Sequence, residues 1–535
     1  MAEKAAGKKT STKSGDDKAP EKSVAKTPTK PVAKPKRRAK AVLKPRAKAT
    51  PAKQPDKQPT VSKPHTVDPE KLEIWRSLPE AERNALRERE AMRMFQRAAA
   101  SHRGGEMDAA VDAYGKSLLL NPKQPDVYNN MGVALRSQGK LEAAIACYRR
   151  ALVLKPNNAG VYSNMGNALR EIGRLETAMA SHQQAVKLSP KSTEAYYNLG
   201  LVLRDLGQTD AALSCFDRAL ELDETHVDCQ WDRALTLLEM GDLKAGFEAY
   251  ECRWKLDRSP PRTFDVPMWD GTELNGKTVL VHHEQGFGDM IQFARYLPMI
   301  KERGGQVVVE IQPELARVFG TIKGVTKIYN RDQTPPKHDF YIPMMSLGHI
   351  FGTEQTSIPA AVPYISAPDS NAVQLPPSMG KIKRVGIAWA GSATHRNDRN
   401  RSAGFKHFIE IMGLPGMSVF SLQKGPASRD ISAFGCDALV TNLSGRIKDF
   451  ADTAAILSQL DLVITVDTAL AHMAGAMGIP TWVAVPFAPD WRWMRGADTS
   501  PWYPSMRLFR QKRHGAWEGV FSDIRRALRD DIAEG

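Results

Sequence analysis

Residues 125–226 repeat with a period of 34, and a fixed period of that length admits very few folds. Tyr128, Met131 and Gly132 recur as Tyr162, Met165 and Gly166, and again as Tyr196, Leu199 and Gly200. Further along each unit, Gly139, Ala144, Tyr148, Ala151 and Pro156 return as Gly173, Ala178, His182, Ala185 and Pro190. The third copy carries Gly207, Ala212, Phe216 and Ala219, with Glu224 in place of the proline. Small residues at fixed helix contacts, with a proline closing each unit, predict pairs of antiparallel helices stacked into a superhelix.

This is the tetratricopeptide pattern, and it extends both ways. Residues 91–124 fit through Gly105, Ala110, Tyr114 and Pro122; residues 227–258 keep Gly241 and Tyr250 and lose much else, as a terminal unit does. Five units are expected over 67–258, with 67–90 as a leading helix over the exposed end. At 535 residues the chain has room for two or three domains. Of its net charge of +15, residues 1–65 supply 19 Lys/Arg against 5 Asp/Glu, so the remainder is close to neutral. That stretch also has nine prolines and no aromatic residue, so a disordered basic tail is expected over 1–66, with weak affinity for polyanions. A nucleic-acid-binding body would be basic, and this one is not. No leader-type apolar core or membrane-length apolar run occurs. Five cysteines without CxxC spacing fit a reducing, cytoplasmic setting.

After 259 the periodicity changes. Short β-rich runs at 278–283, 306–311 and, more weakly, 340–342 are followed by a Pro/Ser/Gly-rich stretch around 368–381. The pattern restarts with runs at 384–391, 417–422, 462–466 and 480–485, interleaved with helical segments. Strands alternating with helices predict two lobes with parallel sheets, 259–372 and 373–535, and a cleft at their strand carboxyl ends.

Glu284-Gln-Gly-Phe-Gly-Asp289, the stretch 390–402 and Asp467-Thr-Ala-Leu-Ala-His472 occur in the order found in GT-B glycosyltransferases related to the lipopolysaccharide heptosyltransferases. With the repeats, residues 85–530 resemble bacterial tetratricopeptide-repeat glycosyltransferases, a group that includes flagellin-modifying enzymes, and the architecture is similar to that of protein O-GlcNAc transferases. The resemblance implies transfer of a sugar, of hexosyl or nonulosonyl type, from a nucleotide donor to Ser/Thr hydroxyls of a protein, flagellin being one possible acceptor. It makes Asp289 the candidate base; as a residue in a first helical turn, Asp289 is also an ordinary cap. Gly286 and Gly288 would let backbone approach donor or acceptor.

Donor-binding candidates come from the second lobe. Asp467, Thr468 and Ala469 sit where a strand enters a helix, so free N–H groups face a would-be phosphate; Ala469 replaces the family's glycine. His472 is one turn in, as ligand or as packing. Arg399 falls on the family's phosphate-contacting lysine, Lys424 is a second cation, and Gln423 would touch base or ribose. Asp490 and Arg492 lie in an aromatic-dense run on the sugar or acceptor side. With no Asp-x-Asp at a strand end and no clustered His/Cys, neither metal nor cofactor is expected, the nucleotide sugar being a co-substrate. Asn129, Asn130, Asn164 and Asn198 would line the concave groove that receives the acceptor. The competing reading is a non-catalytic repeat scaffold with a degenerate transferase region.

Overall fold

Each repeat is built around a glycine facing an aromatic ring. A Cβ on Gly132 would lie 2.5 Å from the Tyr148 ring, one on Gly166 2.5 Å from His182, and one on Gly200 2.6 Å from Phe216. The 34-residue period therefore encodes a contact: the first helix must lack a side chain where the second inserts its ring. The computed structural model describes residues 69–535 except 258, 331–332, 369–372, 378–381, 396 and 535. The basic tail expected over 1–66 lies outside the described residues. The chain divides into two units between Arg76 and Ser77; the described part of the first belongs to helix Pro69–Ser77.

Five helix pairs follow, from Glu80–Arg103 with Met107–Leu120 to Val227–Met240 with Leu243–Tyr250. The single leading helix expected over 67–90 is interrupted after helix Pro69–Ser77. Pro79 breaks the chain, and from Glu80 one 24-residue helix runs on as the first helix of the first pair. An ion-pair ladder ties successive pairs, Arg136 to Glu171 and Arg170 to Asp205.

Two parallel sheets come next. The first contains β1 (Thr278–His282), β2 (Gln306–Glu310), β3 (Val325–Tyr329) and β4 (Phe340–Pro343) in the order β3-β2-β1-β4. The second contains β5 (Lys383–Ala388), β6 (Met417–Ser421), β7 (Thr441–Asn442), β8 (Leu462–Val466), β9 (Thr481–Val485) and β10 (Met506–Arg510). Its order is β10-β9-β8-β5-β6-β7. β8 and β9 are buried at every position, as strands covered by helices on both faces must be.

One apolar core runs from the last repeat through both sheets, joining Phe247, Phe293, Trp491 and Trp502. Phe247 meets Phe293 and Trp491 edge-on, with ring centroids 5.8 and 5.7 Å apart. The repeat array is thus welded to the α/β region by aromatic packing.

Candidate active site

Strand order locates the site before any side chain does. In the first sheet, successive strands depart in opposite directions on either side of β1; in the second, on either side of β5. The crevices at β1/β4 and β5/β8 are the topological switch points, where ligands of open parallel sheets bind beyond the carboxyl ends. The loop after β1 carries Gly286 into helix Phe287–Phe293, and the loop after β8 carries Asp467 and Thr468 into helix Ala469–Ala476. These two helices pack directly against each other.

Gly288 is the contact point. A Cβ there would lie 2.8 Å from the His472 ring, so the absent side chain admits His472 rather than a ligand, and the expected approach of backbone to substrate is corrected accordingly. Gly286 N–H donates to Asp289 Oδ2 at 2.8 Å, so Asp289 does cap its own helix. Its other oxygen accepts from Arg492 Nη2, while Arg492 Nη1 donates to Asp490 at 2.7 Å. Asp289 from the first lobe and Arg492 from the second therefore meet across the seam. Arg492 is buried, and the carboxylates of Asp490 and Asp289 hold its charge in place against the cost of burial.

Asp467 joins this cluster. Burial, then the nearby Asp490 charge, raise its carboxyl from 3.8 to about 6, against the opposing pull of Arg401, Trp493 and Arg492. His395 also faces the cluster; burial and then Arg401 push its imidazole down, while Asp490 and Asp289 pull it up. Thr468 is the N-cap of helix Ala469–Ala476 and makes no side-chain cap bond, so the first turn presents N–H groups and positive helix-dipole potential beside these charges.

Other expected ligands are engaged elsewhere. His472 is 4% exposed, stacks on Trp493 with centroids 5.2 Å apart, and shares a 2.9 Å hydrogen bond between Nδ1 and the Tyr503 hydroxyl. Burial holds it well below the usual imidazole range, so it is a neutral pin in the seam and not an exposed phosphate ligand. Gln423 is 3% exposed and spends its amide on backbone: Oε1 accepts from Trp389 and Ala390 N–H, and Nε2 donates to Ala390 and Lys424 carbonyls. It ties the β5 and β6 exit loops together and is not free for base or ribose. Lys424 Nζ donates to the Ser444 and Ile447 carbonyls at 2.9 and 2.7 Å, bracing the 444–447 loop. Arg399 is exposed in the short helix Asp398–Arg401; Arg401, two residues on, is the half-buried cation that faces Asp467. Arg396 lies outside the described residues.

In the repeats, Asn164 Nδ2 donates to Asn129 Oδ1 at 2.9 Å and Asn129 to Asn130 at 3.2 Å, a ladder across adjacent units. Asn198 instead bonds the Glu194 carbonyl of its own helix and does not continue it. The Asn129 position is Ser163 in the next unit, then Tyr197 and then Trp231, whose ring packs on Tyr250 at 4.8 Å. Tyr250 in turn feels the charges of Arg253, Arg492, Asp289 and Glu284, although burial is the main reason its phenol is raised. The end of the groove thus adjoins the carboxylate cluster.

Arg253 was not anticipated either. It is buried at the end of the array and donates to both oxygens of Glu284, in the loop leading from β1 to Asp289, and to Ser346. Among the described residues, no three His, Cys, Asp or Glu side chains are arranged to hold a metal ion.

The helical repeats are similar to tetratricopeptide arrays, and part of the α/β region that follows is similar to a glycosyltransferase family. Tetratricopeptide models match 113–146, 134–173, 166–203 and 193–226, and the model described as glycosyltransferase family 9 (heptosyltransferase) matches 378–485. Protein FlbA of Caulobacter vibrioides is 28% identical over 311 residues, 53% of this chain and 52% of its own length. The chain thus spans about half the length of that curated relative. Among solved structures, MamA from Desulfovibrio magneticus RS-1 is 22% identical, with TM-score 0.30, covering 32% of this chain and 97% of its own. YrrB, described as a TPR protein with an unusual peptide-binding site, is 22% identical with TM-score 0.28, covering 32% and 88%.

Proposed function

We propose that the protein transfers a sugar from a nucleotide donor to Ser/Thr hydroxyls of a protein held in the repeat groove. The observation that carries this reading is the meeting of Asp289 with Arg492 across the seam, beside the uncapped helix that starts at Thr468. In this reading Asp289 takes the acceptor proton as the glycosidic bond to the new oxygen forms. The bond to the departing diphosphate breaks at the same sugar carbon. Each Asp289 oxygen accepts one hydrogen bond and keeps a lone pair for that proton, and Arg492 fixes the carboxylate plane. Negative charge gathers on the diphosphate, which the N–H groups of the Ala469–Ala476 helix stabilise with Arg401 and Arg399 in support. The reading assigns that stabilisation to protein groups, without a metal.

No described helix is long and apolar enough to cross a membrane. The absence of disulfides among the five cysteines accords with a cytoplasmic site of action, where sugar nucleotides are made. Flagellin is the first acceptor to test, because resemblance to flagellin-modifying transferases supports it. The experiment is intact-mass measurement of flagellin after incubation with the full chain and individual sugar nucleotides. A sugar-sized increment that disappears in Asp289→Asn supports the reading. Tight flagellin binding with unchanged mass for every donor favours the non-catalytic scaffold.

A further inference from the structure

We propose that Arg495 is a positioning residue that anchors the Asp289 clamp to the floor of the repeat groove, so that the repeat array sets the geometry of the transfer site. The register of the ion-pair ladder points to it. Arg136 pairs with Glu171 and Arg170 with Asp205, each spanning 35 residues. The same step from Arg204 leads to Glu239. Arg204 instead pairs with Asp232 at 2.7 Å, and Glu239 receives Arg495 from the far end of the chain. Arg495 Nη2 also donates to the Arg204 carbonyl at 2.9 Å. The α/β region has inserted its own arginine as the last rung of the repeat ladder.

The anchored segment is the one that holds the candidate base. Arg492, three residues before Arg495, bridges Asp490 and Asp289. Between them, Met494 has φ +49°, a left-handed conformation costly for a side-chain-bearing residue, and its side chain is buried. Such a conformation persists where both ends are fixed: here Arg492 on one side and Arg495 on the other. The segment Trp491–Trp493 also packs on helix Val227–Met240, which carries Glu239. Arg510 braces the same segment from β10 through the Trp493, Met494 and Ala497 carbonyls. Arg510 fixes backbone to the sheet, whereas Arg495 ties the segment to the repeat helices through hydrogen bonds to Glu239 and the Arg204 carbonyl. Glu239 is itself buried, so losing its partner leaves a carboxylate with no low-cost alternative. A cavity of about 410 Å³ opens beside this rung, lined by Glu239, Met240, Gln355, Met494 and Ser500 among others.

The inference rests on the transfer reading for its kinetic arm and stands apart from it in its structural arm. Full-chain protein, Arg495→Met, Arg495→Lys and Arg170→Met are compared by hydrogen exchange, and by kcat and KM with whichever donor and acceptor give transfer. Arg170→Met breaks an equivalent rung inside the array and controls for general loosening. Arg495→Met is expected to speed exchange at least 10-fold both in 491–495 and in the Asp289 helix, 287–293, with Lys recovering part of the protection. On the kinetic arm, kcat falls about 10-fold or more with donor KM changed less than about 2-fold; Arg170→Met leaves helix 287–293 and kcat at wild-type values. Faster exchange confined to 491–497, with helix 287–293 and any kcat unchanged, overturns the inference. If no acceptor is ever modified, the exchange result still decides the inference, while the transfer reading falls separately.

Discussion

Asp467 provides a sharp test of the site's electrostatics, because its carboxyl is raised from 3.8 to about 6 by burial and by Asp490. A carboxyl with a raised folded-state pKa favours the folded state in its protonated form. Its contribution is intact below the unfolded value and is lost as pH rises through the folded one. Over a shift of that size the penalty reaches about 3 kcal/mol above neutrality and is less than about 1 kcal/mol at pH 4. Asp467→Asn removes the ionisation while keeping size and shape. The variant should therefore gain stability relative to the parent by about 2 kcal/mol between pH 4 and pH 8, most of it by about pH 6.5. The assay is a scanning-calorimetry series across that range, read as the variant-minus-parent difference. A constant offset reports packing or a lost hydrogen bond; the slope reports the carboxyl. Repeating the comparison in an Asp490→Asn background should shrink the slope, since the second-largest cause is then gone. A flat difference, or one that falls with pH, refutes the placement of Asp467 in a buried acidic cluster.

His182 runs the other way over an overlapping window. Buried with both ring nitrogens unpartnered, it is held down from 6.5 to about 4, chiefly by burial, so it costs stability as pH falls below 6.5. His182→Phe, matching Phe216 in the next repeat, should raise stability by about 1–3 kcal/mol at neutral pH and flatten the loss on acidification, measured by urea denaturation. Asp289→Asn should lower kcat by about 10²–10⁴-fold with little change in donor affinity, measured by steady-state transfer. Arg401→Met should weaken nucleoside diphosphate binding by about 10-fold in calorimetric titration, consistent with a lost charge-assisted contact. Lys424→Met should loosen the 444–447 loop at a cost of about 1 kcal/mol while leaving nucleotide affinity unchanged, because its ammonium is spent on carbonyls.

The repeats were legible because one contact, glycine against an aromatic ring, recurs at a fixed interval and writes itself into the period. The placement of Asp289, Asp467 and Thr468 where strands turn into helices was legible because a short β-rich run leads into a helical segment at each. β3 escaped because Thr326 and Lys327 lie exposed in its middle, and β10 because Arg507 does the same and breaks the apolar run. Lys424 and Gln423 looked like ligands because a sequence shows a side chain's chemistry and not the backbone groups that will use it. Arg399 and Arg401 sit two apart on a short helix, and only the chain path shows that Arg401 faces Asp467. Arg495 and Glu239 are 256 residues apart, and nothing local to either announces the pairing.

The central claim is that a nucleotide sugar binds at the seam where the two switch points meet. Hydrogen exchange of the full chain, with and without UDP, GDP, CDP or CMP at millimolar concentration, tests it most directly. The account predicts that at least one of these slows exchange at 467–472, at the amides of the helix beginning after Thr468, with weaker protection at 286–290. Protection confined to the repeats or to surfaces away from those two segments, or no protection by any of them, contradicts it.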